Sequence, residues 1–255
     1  MNNYFDLTNK VAIITGGGIG LGKQMAIALG ESGSKIVICS RKMENCLQTV
    51  EELKQKGIQA IAVPCDISKQ EDINHVIQTT IAKFGSIDIL INNSGTSWMA
   101  PILDYPEDKW DKVMDINLKG TFLFSQAAAT KMAEQKRGKI INISSVTAFY
   151  GTHPSYLDAI SYNTSKGAII TLTKELAVKL APYNIQVNAI APGFFPTKIT
   201  SVFEQHKKQI LAKIPAGRLG SEEDLKGIAL LLSSQASDYI TGQIIAVDGG
   251  LSSML

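Results

Sequence analysis

Seven short runs of apolar, largely β-branched residues recur along the chain: VAIIT from Val11, KIVIC from Lys35, QAIAV from Gln59, IDILI from Ile87, KIINI from Lys139, IQVNAI from Ile185 and QIIAV from Gln243. They are continuously apolar instead of alternating, so a strand made from any of them needs cover on both faces. Between them lie stretches with helical spacing, among them GKQMAIALGES, CLQTVEELKQKG, DINHVIQTTIAKFG and GTFLFSQAAATKMAEQ. Helices that cross between buried parallel strands build a doubly wound α/β sheet, here of about seven strands with helices on both faces. A length of 255 residues suits one such domain, 1–255, better than two small ones.

Punctuation agrees with that frame. Gly57, Gly85 and Gly138 follow helical stretches, and Ser221 before Glu222, Glu223 and Asp224 reads as an N-cap with an acidic first turn. The least regular segment, around 193–220, brackets two short helical patterns with prolines and glycines and reads as a substrate-lid insertion.

A hydrophobic content of 45% supports a sizeable core, and the formal charge of +2, with Lys207–Lys208 the notable basic cluster, argues against a nucleic-acid partner. The start, MNNYFDLTNKVAIITGG, lacks a basic region leading into an apolar segment, and no apolar run reaches ~18 residues, so no membrane partner is expected and a cytoplasmic location is. Cys39, Cys46 and Cys65 have no metal or redox spacing and read as buried, inert thiols; His75, His153 and His206 are too dispersed for a metal site, and none is expected.

In an open parallel sheet ligands bind beyond the carboxyl ends of the strands, so the residues after each run are informative. After the first comes TGGGIGLG, where Gly16, Gly18, Ile19, Gly20 and Gly22 lead into a helix whose N-terminus favours a pyrophosphate. The second ends in Ser40, Arg41 and Lys42, donors and positive charge suited to a 2′-phosphate, which favours NADPH/NADP+ over NADH/NAD+. Asp66 and Ile67 come after the third run, and Asn93, Ser94 and Gly95 after the fourth, placed to line an adenosine. Ser144 and Ser145 end the fifth; Pro192, Gly193, Phe195 and Thr197 come after the sixth. Tyr162 and Lys166 stand four apart at the start of a helical stretch, hence on one face, where an ammonium lowers a phenol from its ordinary value near ~10.

Taken together, TGGGIGLG, NNSG, Asn117 in MDINLKGTF, the serine pair, YNTSK, PGFFPT and YITGQIIAVDGG resemble the classical short-chain dehydrogenases/reductases from Thr15 to Gly250. The resemblance implies a Rossmann-type fold, Tyr162 as general acid/base, Lys166 as its activator, Ser145 on the substrate oxygen and Asn117 holding a water of a proton relay. Tyr162 and Lys166 then also touch the cofactor, with Pro192, Gly193, Phe195 and Thr197. The interval between Ser145 and Tyr162 is a few residues longer than the family's usual one, which puts His153, Tyr156 and Asp158 near the pocket mouth with Trp98 and Phe194. The implied reaction interconverts a ketone and a secondary alcohol by hydride transfer on a small-molecule substrate, in a homotetramer. A 3-oxoacyl thioester reductase is the first reading, a sugar-acid dehydrogenase of gluconate 5-dehydrogenase type the alternative, and a non-catalytic dinucleotide sensor the remote competitor.

Overall fold

The computed structural model describes residues 3–155, 157–196 and 207–254. All seven apolar runs form strands: β1 Val11–Thr15, β2 Lys35–Ser40, β3 Ala60–Pro64, β4 Ile89–Asn92, β5 Gly138–Ile143, β6 Ile185–Pro192 and β7 Ile244–Val247. They make one all-parallel sheet in the order β3-β2-β1-β4-β5-β6-β7. The order reverses between β1 and β4, and the crevice at their carboxyl ends is where a doubly wound sheet binds ligands.

Successive strand residues feed opposite cores, which is why the runs do not alternate. Ala12 and Ile14 pack with α1 (Gly20–Glu31), α2 (Met43–Gln55) and α8 (Lys226–Ser233). Val11 and Ile13 pack on the other side with α3 (Gln70–Phe84), α5 (Gly120–Gln135) and α6 (Ile160–Leu180). A shorter α4 (Glu107–Met114) runs into α5 through a π-helical turn, Asp115–Lys119, and α7 is Lys207–Leu211.

Two punctuation readings are corrected. Lys136, at φ 55°, takes the left-handed position after α5, and Gly138 instead opens β5, where a Cβ would lie 2.4 Å from Met132 Sδ. Ser221 does not cap a helix: its N–H and hydroxyl donate to the Asp224 carboxylate, which also pairs with Arg218, and α8 starts only at Lys226. Among the described residues no helix is long and apolar enough to cross a membrane.

Candidate active site

The glycine loop is built for a close approach. Gly16 has φ +65°, and a Cβ on Gly22 would sit 2.4 Å from Asn93 Nδ2 and 2.6 Å from Gly16 O. Asn93 holds this packing by donating from Nδ2 to Thr15 O and Gly16 O, while Thr15 Oγ1 accepts from the N–H groups of Asn93 and Ser94. At Gly20, φ +54°, a Cβ would meet nothing within 4 Å, and α1 begins there with no side-chain cap on its free N–H groups. The loop thus offers an uncovered concavity of backbone donors at a helix N-terminus, which fits an anionic group.

The flanking turns are positioned by side-chain hydrogen bonds. Ser40 Oγ accepts from Lys42 N at 3.1 Å, which tightens the turn and leaves Arg41 and Lys42 exposed. The serine is therefore first of all a turn residue. Asp66 accepts from Ser68 N and Oγ; burial works to raise its carboxyl, but these bonds and the nearby Arg41 and Lys69 hold it below its ordinary value. Ile67 is buried, its carbonyl closely faced by Gly120. The three thiols stand behind this half of the site, all buried, and Cys39 and Cys46 are pushed up; at Cys39 the Cys65 interaction leads and burial comes second, at Cys46 burial leads.

At the other half, four chain segments converge. Asn117, in the π turn, donates from Nδ2 to Thr96 O and Ser165 Oγ, and its Oδ1 accepts from Thr96 N. Both side-chain donor hydrogens are thereby used. A Cβ on Gly95 would lie 3.4 Å from Asn117 Oδ1 and 3.7 Å from Lys166 Nζ, so these groups meet at one point. Lys166, 5% exposed, donates from Nζ to Ile143 O at 2.7 Å, and Nζ lies 5.7 Å from the centroid of the Tyr162 ring. The serine pair divides its work: Ser144 donates to Lys166 O and ties α6 to β5, whereas Ser145 accepts from Thr147 N and Oγ1 and interacts with the Tyr162 phenol.

The electrostatics correct one expectation. Tyr162 is not lowered: burial raises it, with the Ser145 hydrogen bond partly opposing. Burial instead acts strongly on its neighbour and brings Lys166 down to about 8. Desolvation disfavours the charged form of either group, and at Lys166 it acts without an opposing charge among the described residues.

The expected pocket residues separate. Trp98 is 42% exposed, with Lys109 Nζ 5.0 Å above its ring. His153 is also exposed, Nδ1 bonding the Ser155 hydroxyl, in a turn closed by Leu157 N to His153 O and by Thr152 Oγ1 to Leu157 O. Phe194 packs on a small cluster of Leu157, Ala159, Ile210 and Ile214 that also touches Tyr162. Phe195 goes inward, 4% exposed, against Gly220, so its side chain is core. Gly193 comes after Pro192 at the end of β6; a Cβ there would lie 2.7 Å from Asp248 Cα. Tyr156 and Thr197 lie outside the described residues. Sequence reading missed Thr15, Thr96 and Ser165 as the groups that hold Asn93 and Asn117; only the position of Ser165 beside Lys166 in YNTSK hinted at one of them.

Known proteins resemble this chain in sequence and fold over nearly their whole length. A family model described as enoyl-(acyl carrier protein) reductase matches residues 17–252. The chain is 39% identical to the 5-keto-D-gluconate 5-reductase of Escherichia coli over 255 residues, 98% of each protein. It is 38% identical to the 3-oxoacyl-[acyl-carrier-protein] reductase of Aquifex aeolicus, across 96% of this chain and 98% of that one. Among solved structures, a gluconate 5-dehydrogenase from Burkholderia cenocepacia in complex with NADP and tartrate superimposes with a TM-score of 0.94 at 35% identity, covering 99% of both chains. With the glycine loop, the Asn117–Tyr162–Lys166 cluster and these matches in agreement over nearly every residue, the chain belongs to the short-chain dehydrogenase/reductase family and is an oxidoreductase.

Proposed function

We propose that this protein is an NADP(H)-dependent ketone reductase acting through Tyr162. The observation that supports this most is the meeting of Asn117 and Lys166 beside Gly95, with Tyr162 next to Lys166 and Ser145 next to Tyr162, at the carboxyl end of the sheet that carries the glycine loop. A bound nicotinamide supplies hydride to the carbonyl carbon or accepts it in reverse. Tyr162 holds its proton at physiological pH, because burial raises the phenol, and gives it to the carbonyl oxygen as negative charge develops there. Ser145 fixes that oxygen. Lys166 stabilises the phenolate left behind, and replacement of the proton runs through a water held at Asn117 by atoms other than its engaged side-chain donors. Gly16, Gly18, Ile19, Gly20 and Gly22 cradle the pyrophosphate. Asp66, Ile67, Asn93, Ser94 and Gly95 line the adenosine and its ribose, and Arg41 with Lys42 binds the 2′-phosphate. Pro192 and Gly193 would back the nicotinamide; of the lid expected at 193–220, residues 197–206 lie outside the described residues.

For the substrate we keep a 3-oxoacyl thioester first and a keto sugar acid second. The exposed turn carrying His153 and Ser155 favours the second, since a polyhydroxy acid needs hydrogen-bonding partners at the mouth. Initial rates with 5-keto-D-gluconate, acetoacetyl-CoA and an aromatic ketone, each with NADPH and NADH, test the assignment. Turnover of one class with NADPH preferred is expected; tight cofactor binding with no turnover of any ketone would instead point to a sensor.

A further inference from the structure

The segment after β4 is fastened across the site at three points. Thr96 is clamped by the Asn117 amide, Ala100 N donates to Asp158 O at 3.1 Å, and the Tyr105 hydroxyl meets Ser161 Oγ. The third point joins elements that the proposed chemistry does not otherwise link. Ser161 is fully buried in the first turn of α6, directly before Tyr162. Tyr105 also donates its hydroxyl hydrogen to Trp98 O at 3.3 Å, so the Ser161 hydroxyl is the donor to Tyr105 in the arrangement that satisfies all three groups. The Tyr105 ring is fixed in turn by Trp110, edge to face at 6.5 Å between centroids.

Trp98 is consequently held at both ends. Tyr105 secures its carbonyl, and Lys109, on the α4 turn beside Trp110, lies over its ring, while the residue as a whole remains 42% exposed. A large aromatic residue tied at its backbone by Tyr105 and met at its ring by Lys109, between the clamp at Thr96 and the bond at Ala100, yet still open to solvent, is a wall and not a piece of core. From this geometry we infer that Tyr105 is a positioning residue: through Ser161 and Trp98 it sets the distance between the first turn of α6, which carries Tyr162, and the aromatic wall against which the substrate rests.

The inference rests on the proposed function for its kinetic meaning, but the latch itself is readable without turnover. The probe is protein labelled with 5-fluorotryptophan, whose two tryptophans give two 19F resonances, that of Trp98 being assigned by its loss in Trp98→Phe. Tyr105→Phe keeps the ring and its packing on Trp110 and removes only the hydroxyl. It is expected to shift or broaden the Trp98 resonance and to raise KM for the ketone about five- to tenfold, with NADPH affinity unchanged and kcat reduced less than KM is raised. Ser161→Ala should reproduce part of the loss, and the double variant should be no worse than Tyr105→Phe alone, because both remove one shared interaction. An unmoved Trp98 line in Tyr105→Phe, or additive losses in the double variant, would overturn the latch. Should no ketone be turned over by the unmodified protein, the functional reading fails, while the 19F comparison still decides the latch.

Discussion

Lys166 is a cation held in the interior, beside the phenol it is proposed to serve. It is buried, its ammonium donates to a backbone carbonyl, and burial lowers it from near 10.5 to about 8. Between those two values the unfolded chain binds the proton that the folded one has released, so stability rises with pH across that window and the penalty for burying the charge is complete below it. Lys166→Met removes the titration. The stability gap between variant and unmodified protein, by denaturant titration, should narrow by up to about 1.4 kcal/mol per pH unit from pH ~8 to ~10. A gap constant with pH would mean that the ammonium is not desolvated. Tyr162→Phe tests the partner group: NADPH binding should persist while turnover falls by ~10² to 10⁴. Arg41→Ala should weaken NADPH by about 1.5 to 3 kcal/mol and leave NADH nearly unaffected, measured by fluorescence titration.

At the scale of elements, the entry into α1 is the least forgiving join. Gly22→Ala would press a methyl into Asn93 Nδ2 and Gly16 O, both backed by the ends of β1 and β4. Overpacking of this kind costs about 1–3 kcal/mol, and the variant should show both a lower Tm and weaker NADPH binding. The central strands were legible because they bury both faces, and a continuous apolar run is the direct trace of that; β7 kept such a run although it is only partly buried. The glycine loop was legible for a similar reason, since close backbone approach admits one residue type. The role of Asn117 as a tether was not, because the π turn that presents its amide to Thr96 and Ser165 has no signature in MDINLKGTF. The phenol's upward displacement escaped too: four-residue spacing reports that Lys166 is near Tyr162, but not that burial is the leading influence on each of them. Ser221 misled because a serine before acids caps a turn as readily as a helix, and Arg218 decides between them here by engaging Asp224.

For the whole molecule, we propose a homotetramer. Phe122 on α5, Val178 on α6 and Tyr239 before β7 all lie exposed, Val178 by 75% and Tyr239 fully, and α5 and α6 continue directly from Asn117 and Tyr162. Light scattering at micromolar protein should give about four times the 27.5 kDa chain mass, and a stable, active monomer would end that proposal. The strand order carries a different consequence, for how the chain reaches this state at all. With every pairing parallel, no two neighbouring strands can be joined by a hairpin, and the central pair brings together segments such as Val11 and Asp88, 77 residues apart. A chain emerging from the ribosome therefore holds β1 with one side uncovered until β4 has been made, an interval of several seconds at ~5–20 residues per second. During that interval VAIIT and its neighbours are sticky, unshielded peptide, so yield in a cell should depend on translation speed between residues 15 and 92 and on chaperone supply far more than on the final stability of the fold.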